Sequence, residues 1–408
     1  MLMLTAPSLL AQEVPEMRDF IMHSAPAPVF TAPDPVKYNI KLGNLTARFH
    51  ASIQAELNDN INLAAKSPEA DFSIGPDVQV GFQYTLNKKN VLQFNLGLGY
   101  RYFFLHPEIS TFSLAPNSRV EYRLALEKIQ ITLHDNFSIQ VDPSSRPDIS
   151  AASSAGNSVL NFRRINNSAG VGAEWRPLED VGLSASYDYV MDRSLTASFR
   201  GLDRNDHTFS LAGAYTVSEW LIAGLRGIYT RSFYIEHVQN DATSYSIGPS
   251  ITARAGKFLT ADLSVGYAAT TFDHTGTVAD FSEFRGLNVT ASLRHVMNSR
   301  MSEELRFNKG RDLGLGSNFN EIMSVQYGLH DRVTSAMTIN STIAYENFSS
   351  SGLAGEKADR FLIYLGTSSR LTRDWTLGLA YAFSTKTANF VSRDYTQNRF
   401  TLDLTRQF

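Results

Sequence analysis

The sequence predicts an all-β fold: a transmembrane, antiparallel, up-and-down β-barrel of about 18 strands, with short turns at one end and long loops at the other. Three observations carry that reading. The first is alternation. From Leu45 to Leu57 the odd positions are Leu45, Ala47, Phe49, Ala51, Ile53, Ala55 and Leu57, and the even ones are Thr46, Arg48, His50, Ser52, Gln54 and Glu56. A period of two sends successive side chains to opposite faces of an extended strand. A run this clean arises by chance on the order of 10⁻⁴ per starting position. The second is strand length. Soluble sandwich strands are usually about five or six residues long, whereas runs near ten with arginine and glutamate on the second face suit a barrel with lipid outside and water inside. The third is the alternation of tight and long connections along the chain.

Composition is consistent with this fold and excludes other classes. At 43% apolar, the 408 residues hold no run of about 20 apolar residues that would make a membrane-spanning helix. Alternation keeps the average hydropathy of spanning strands low, and the mean hydropathy is −0.18. The absence of cysteine excludes disulfides, thiolate metal sites and a lipidated N-terminal cysteine. A net charge of −3 carries no basic signature for nucleic acid. No linker interrupts the alternation, so one barrel is expected rather than several domains.

Taken in order, the chain opens with Met1–Ala11, a short apolar stretch that reads as the remnant of a secretory signal with cleavage after Ala11. It lacks a basic n-region, and Leu9 stands where a small residue is expected. Residues 12–43 read as an extended periplasmic arm, with Pro15, Pro26, Pro28, Pro33 and Pro35 in its first part. A plain tether and a partner-binding segment both fit that composition. Residues 44–408 are assigned to the barrel.

Within the barrel, alternation recurs at Val78, Val80, Phe82, Tyr84 and Leu86, from Leu92 to Tyr102, and from Val120 to Leu126. Tight turns are placed at 87–90, Glu127–Lys128, Pro177–Asp180, Val217–Glu219, Gly256–Lys257, Met297–Ser299, Asp331–Arg332 and Thr372–Asp374. Long connections run over Asn58–Asp71, Phe104–Asn117, Gln140–Arg164, Asp192–Asn205, Ser232–Ala242, Thr271–Glu283, Gly310–Phe319, Asn347–Ala358 and Thr385–Asp394. Outer-membrane barrels pair short periplasmic turns with long external loops, so both termini are expected in the periplasm. Of 14 prolines, only Pro249 falls inside a projected strand, where its missing N–H predicts a ladder break or a bulge. Aromatics gather at strand ends, as interfacial girdles require. Tyr100, Tyr102, Tyr187, Tyr189, Tyr229, Tyr267, Tyr345, Tyr381 and Phe383 fall at the external end, and Tyr84, Trp175, Tyr215, Tyr327 and Trp375 at the other.

The last strand, Asn398–Phe408, reads N-R-F-T-L-D-L-T-R-Q-F, with Phe400, Leu402, Leu404 and terminal Phe408 on one face. It resembles the C-terminal assembly signal of bacterial outer-membrane proteins, with Arg406 standing where an apolar or aromatic residue is usual. The stretch Gly43–Leu63, the segment N-S-A-G-V-G-A-E-W at Asn167–Trp175 and the end Arg393–Phe408 resemble pieces of the beta-barrel porin 2 family of bacterial outer-membrane β-barrel proteins. The likeness extends over Tyr38–Phe408 in diffuse strand patterns. It implies a Gram-negative outer-membrane location, outer-membrane lipid and the barrel-assembly machinery as partners, and a pore. Some members are linked to exopolysaccharide export.

The inward face, read from strand phase, holds Arg48, Arg101, Arg119, Arg123, Arg226, Arg254, Arg294, Arg306, Arg360 and Arg399. On the acidic side stand Glu56, Glu121, Glu127, Glu174, Asp188, Asp262, Glu304, Glu346 and Asp403. The basic side is all arginine, whose planar fork pairs bidentately with carboxylates across strands. Such residues either set ion selectivity or simply solvate the wall. Arg119, Glu121 and Arg123 stack on one strand, and Arg101 is placed beside them, predicting a locally basic wall. No catalytic set is expected. His50 and Ser52 share only a lumenal strand face, and the His134-Asp135 and His330-Asp331 pairs lack supporting partners. Asp203, Asn205 and Asp206, or Asp273, Asp280 and Glu283, lack the ligand spacing of a calcium loop. No cofactor is expected.

The functional expectation is therefore a porin-like channel for passive diffusion of small hydrophilic solutes or ions, weakly ion-selective. The alternative is a non-conducting structural or export-associated barrel working with polysaccharide-secretion components. The longest loop, Gln140–Arg164, either folds inward to narrow the lumen or stands outside as a flap.

Overall fold

The computed structural model describes residues 40–87, 89–140, 148, 162–352 and 355–408. The signal remnant, the arm up to residue 39, Lys88 in the first tight turn and most of the 140–164 loop lie outside the described residues. The strands are β1 (Ile40–Leu42), β2 (Leu45–Asn58), β3 (Asp71–Asn87), β4 (Asn90–Phe103), β5 (Thr111–Leu114), β6 (Arg119–Ala125) and β7 (Ile129–Gln140). They continue as β8 (Arg164–Leu178), β9 (Val181–Ser194), β10 (Arg204–Ser218), β11 (Leu221–Tyr234), β12 (Ala242–Ala255), β13 (Leu259–Phe272) and β14 (Phe284–Val296). The last six are β15 (Met301–Leu313), β16 (Phe319–Asp331), β17 (Met337–Ser350), β18 (Lys357–Arg370), β19 (Trp375–Ala388) and β20 (Tyr395–Gln407).

Every strand pairs antiparallel with its sequence neighbour, and the sheet closes where β2 meets β20, from His50↔Gln407 to Asn58↔Arg399. Below that seam β1 takes the same edge of β2, with Ile40 opposite Ala47. The Phe408 N–H completes the join by donating to the Phe49 carbonyl at 3.2 Å. Because β5 and β6 share one position in the wall and β1 only extends the closing edge, the barrel has 18 strands, as alternation predicted. The β1 hairpin falls inside the stretch read as arm.

The two faces partition in the sense lipid demands. Large apolar side chains stand exposed on the outside, among them Ile53, Leu98, Leu211, Leu225 and Ile247, while His50, Glu56, Glu121, Arg164, Arg360 and Lys386 are buried inside. That inversion of the usual soluble pattern is what a hydrocarbon solvent rewards. The tyrosines and tryptophans assigned to girdles lie on the outer phase. Trp220, missed because it sits in a turn, is 59% exposed and joins Trp175 and Trp375 at the short-turn end.

The prolines correct one expectation. Pro249 lies within β12, as read, but Pro76 lies within β3 and Pro177 near the end of β8. At Pro249 the ladder to β13 lapses between Ile247↔Tyr267 and Ser250↔Ser264, yet the register on either side is the same, so the strand opens without a bulge. Pro76 does the same against β4, between Ile74↔Tyr102 and Asp77↔Gly99. Each follows a glycine, and a Cβ at Gly248 would stand 1.9 Å from the Val265 carbonyl oxygen. The missing side chain lets the neighbouring backbone close in where the missing N–H has cost a bond.

The long connections all leave from one end of the barrel, and they are packed there rather than splayed. Leu63, Phe162, Phe199, Leu202 and Tyr395 form a buried apolar cluster drawn from three loops and the top of β20. Arg164, 4% exposed, donates to Asp192 at 2.7 Å and to the Phe199 and Leu202 carbonyls, tying down the loop after β9.

Candidate functional site

The site is the lumen. A cavity of about 770 Å³ runs along the inner wall from β6 round to β15. Its charged lining is Arg119, Arg123, Arg226, Arg294 and Arg306 against Glu121, Glu174, Asp262 and Glu304, and between them lies a floor of small hydroxyls that includes Ser184, Ser186, Ser210, Ser250, Thr252 and Ser292. Small side chains dominate the cavity lining on the β9–β14 arc.

The residues read as lumenal, Glu127 excepted, divide by their contacts into three groups. Some are tied in ion pairs. Arg119 and Arg123 both close on Glu121, which is 1% exposed, so the wall read as locally basic is largely neutralised. Arg101 meets Glu56 at 3.4 Å and the Gln54 side chain at 2.5 Å. It does not stand beside Arg119, as read, because β4 pairs with β6 only up to Asn95↔Arg119 and Arg101 lies farther up against β5. Arg360 meets Glu346 at 3.2 Å, with both chains buried. Arg306 forks onto both oxygens of Glu304 at 2.7 and 2.9 Å.

A second group is held by neutral donors. Asp262 accepts from Thr252 at 2.6 Å and from Ser292 at 3.2 Å. Asp403 accepts from Thr405, and Asp188 contacts His134 at 2.8 Å. This last contact passes over Gly170, where a Cβ would fall 2.4 Å from the Asp188 carboxylate, so only glycine fits between them. Arg399 belongs to the inner wall where β20 meets β2.

The third group, Arg48, Arg254 and Arg294, makes no side-chain ion pair or hydrogen bond among the described residues. Arg254 and Arg294 flank Thr260 on either side, two strand spacings apart, or about 10 Å.

Two sequence readings are corrected. Glu127 is exposed in the turn after β6, not lumenal, because the strand ends before it. The inner basic face is not all arginine: Lys386, 1% exposed, meets Glu356 at 2.8 Å, and Arg393 meets the other Glu356 oxygen at 2.8 Å. Lys386 was legible from strand phase. Glu356 was not, because it lies in a loop, where phase has no meaning. The His134-Asp135 pair is split between faces: His134 turns inward to Asp188, and Asp135 outward to the Asn167 amide.

The loops narrow the mouth. Asp148, from the long loop after β7, accepts from the Leu315 N–H at 2.9 Å and the Asn320 amide at 2.8 Å. Those partners belong to the β15–β16 hairpin, on the far side of the barrel from β7 and β8, so Asp148 itself lies across the mouth. Beside it, the Asn240 and Asn318 side-chain amides donate to the Asp280 backbone carbonyl, while the Asn318 N–H and, at 2.5 Å, the Ser351 hydroxyl donate to its carboxylate, knitting four connections together. Burial by itself pushes the Asp280 carboxyl up, but donors from Asn318, Ser351 and Ser282 outweigh it and hold the group below the usual carboxylate range. The carboxylates weighed for calcium are thus engaged within the protein: Asp203 by Arg164 and the Ser194 N–H, Asp206 by Arg204, and Asp280 by this knot.

The fold and lumen together define a large closed β-barrel with an apolar outer face and a polar interior. Among solved structures, the chain is similar to Pseudomonas aeruginosa OccK2 (OpdF) in complex with glucuronate, with TM-score 0.52 and 9% identity, covering 90% of this chain and 99% of that one. It is similar also to P. aeruginosa OpdQ, with TM-score 0.51 and 11% identity over 90% and 100% of the two chains. A third likeness is to P. aeruginosa OpdK with vanillate, with TM-score 0.50 and 10% identity over 89% and 99%. At these identities the likeness establishes the fold. No family model matches the chain, and no curated protein matches it in sequence.

Proposed function

We propose that the protein is a bacterial outer-membrane channel for passive diffusion of small hydrophilic solutes or ions, with weak ion selectivity. The cavity carries the reading: a polar volume lined by nearly balanced charge and hydroxyls, inside a wall whose outer face is apolar. Balanced lining charge attracts neither sign strongly. The neighbours solved with vanillate and glucuronate suggest solutes of that size and polarity. On this reading the short turns and both termini are periplasmic, Phe400, Leu402, Leu404 and Phe408 serve the barrel-assembly machinery, and the chain belongs with the beta-barrel porin 2 family it resembles. None of the lumenal groups supports a catalytic role, so the protein is read as a non-enzyme.

The test is single-channel recording of the purified, folded protein in planar bilayers, with a panel of salts and sugars. Stable ohmic steps that uncharged sugars partly block are expected. Folded protein without conductance would favour the non-conducting barrel of a polysaccharide-export system.

A further inference from the structure

We infer a lateral opening in the barrel wall between β14 and β15, at the long-loop end, through which an amphiphile passes between the outer leaflet and the lumen. The inference rests on the membrane-spanning reading above. The β14–β15 ladder runs from Val296↔Ser302 up to Val289↔Lys309 and stops. Neither strand ends there. β14 stays paired with β13 up to Phe284↔Thr270, and β15 stays paired with β16 up to Leu313↔Phe319. The wall has therefore divided between two strands that each remain paired on the far side, which fraying does not produce. Elsewhere short ladders are continued by a further strand: β1 extends the β2–β20 edge, and β5 continues the position of β6 between β4 and β7.

Side chains show which way the two lips have moved. Leu305 and Lys309 face outward, so strict alternation would send Arg311 and Leu313 to lipid as well. Instead Arg311 donates to the lumenal hydroxyl of Ser244 at 2.7 Å, and Leu313 is buried with Tyr234, Ala242 and Phe272. The β15–β16 tip has turned inward while β14 continues up the wall. Gly310 stands at the parting, and the buried Oδ1 of Asn288, one residue above the last paired position of β14, has no hydrogen-bond partner.

The chemistry of the opening fits an amphiphile. Its outer lips carry the ion pairs Arg285–Glu283 at 3.1 Å and Lys309–Glu321 at 3.2 Å, groups suited to the headgroup layer. Behind them the passage is apolar: Phe319 packs against Phe272 at 6.2 Å and Phe284 at 5.5 Å. A polar head at the lips and an apolar body against these rings satisfies both zones. A hydrophilic solute satisfies only the first.

The chain has no cysteine, so single-cysteine variants report one site each. Full-length protein carrying Leu313→Cys or Phe319→Cys is inserted into phosphatidylcholine vesicles and exposed to a long-chain N-alkylmaleimide held in the bilayer. Folding is verified by heat-modifiable mobility, and Gly310→Cys, on the lip itself, reports the same seam if the larger substitutions disturb the barrel. Leu287→Cys is the lipid-facing control, and Ser210→Cys the lumenal one. The expected result is labelling at Leu287→Cys and at the seam positions, with Ser210→Cys labelled only by a water-soluble maleimide. Labelling at Leu287→Cys with all three seam positions silent would overturn the opening alone. Silence at Leu287→Cys too would overturn the membrane-spanning reading on which it rests.

Discussion

Arg294 projects into the cavity without an ion partner, whereas Arg119 and Arg123 are committed to Glu121. The difference decides which arginine can be used to test selectivity. Reversing Arg119 or Arg123 would remove one of the two cations on buried Glu121 and set a second carboxylate beside it, which like-charge repulsion penalises. Arg294→Glu changes the lining charge without that penalty. We expect it to move the reversal potential in a salt gradient towards cation preference. The shift should shrink as salt rises, since the Debye length falls from about 30 Å at 0.01 M to about 3 Å at 1 M. A reversal potential that ignores the substitution would place Arg294 off the permeation path. Depth matters on the other face. Leu211, 66% exposed in the middle of β10, faces lipid, so Leu211→Arg should destabilise the barrel by about 2–4 kcal/mol in urea unfolding from vesicles. Ser210→Arg, one residue away but lumenal, should cost far less, and equal damage at both would mean the faces are reversed.

At the scale of elements, β20 shows what terminal residues do. Arg406, the departure from the usual assembly pattern, lies over the rings of Phe408 at 4.7 Å and Trp375 at 5.6 Å. A cation over two interfacial rings retains the apolar outer surface while its charge stays near water. Phe408 also supplies the last backbone bond across the closing seam, to Phe49. Deleting Phe408 should therefore lower the folded fraction, read as loss of the heat-modifiable band, and an unchanged band would count against this role. The loop knot around Asp280 has a defined acid response. Its folded pKa lies below the ordinary 3.8, so its stabilising contribution is complete above that value and is lost as pH falls through the lower folded one. Proteolysis of the long loops should therefore accelerate only below pH 3.8, and Asp280→Asn should abolish that acid-dependent step.

For the molecule as a whole, the orientation proposed from the asymmetry between ends has a direct test. A cysteine at Ser110, in a long connection, should react with an impermeant thiol reagent in whole cells, while one at Asp180, in the β8–β9 turn, should react only after the outer membrane is opened. The reverse pattern would invert the topology. Shape at this scale also limits conduction. Asp148 reaches across to Asn320, so a side chain of the loop after β7 stands over the lumen at the long-loop end. The same inward lean of the β15–β16 tip that receives Asp148 parts it from β14.

Strand number, the apolar outer face and the end from which each described loop leaves were legible in the chain alone, because alternation is local. Each residue's face depends only on its neighbours' phase and on the choice between lipid and water. Arg48, Glu56, Asp262 and Arg294 could thus be placed in the lumen without knowing what they touch. Phase is silent about pairing across the barrel. Only the tertiary structure decided that Glu121 neutralises Arg119 and Arg123 while Arg294 stays open, and that Glu356 meets Lys386. It also decided that Asp148 docks on the opposite wall and that β14 and β15 part. These contacts join residues far apart in sequence, and their geometry depends on closure, shear and loop packing, none of which a period of two encodes.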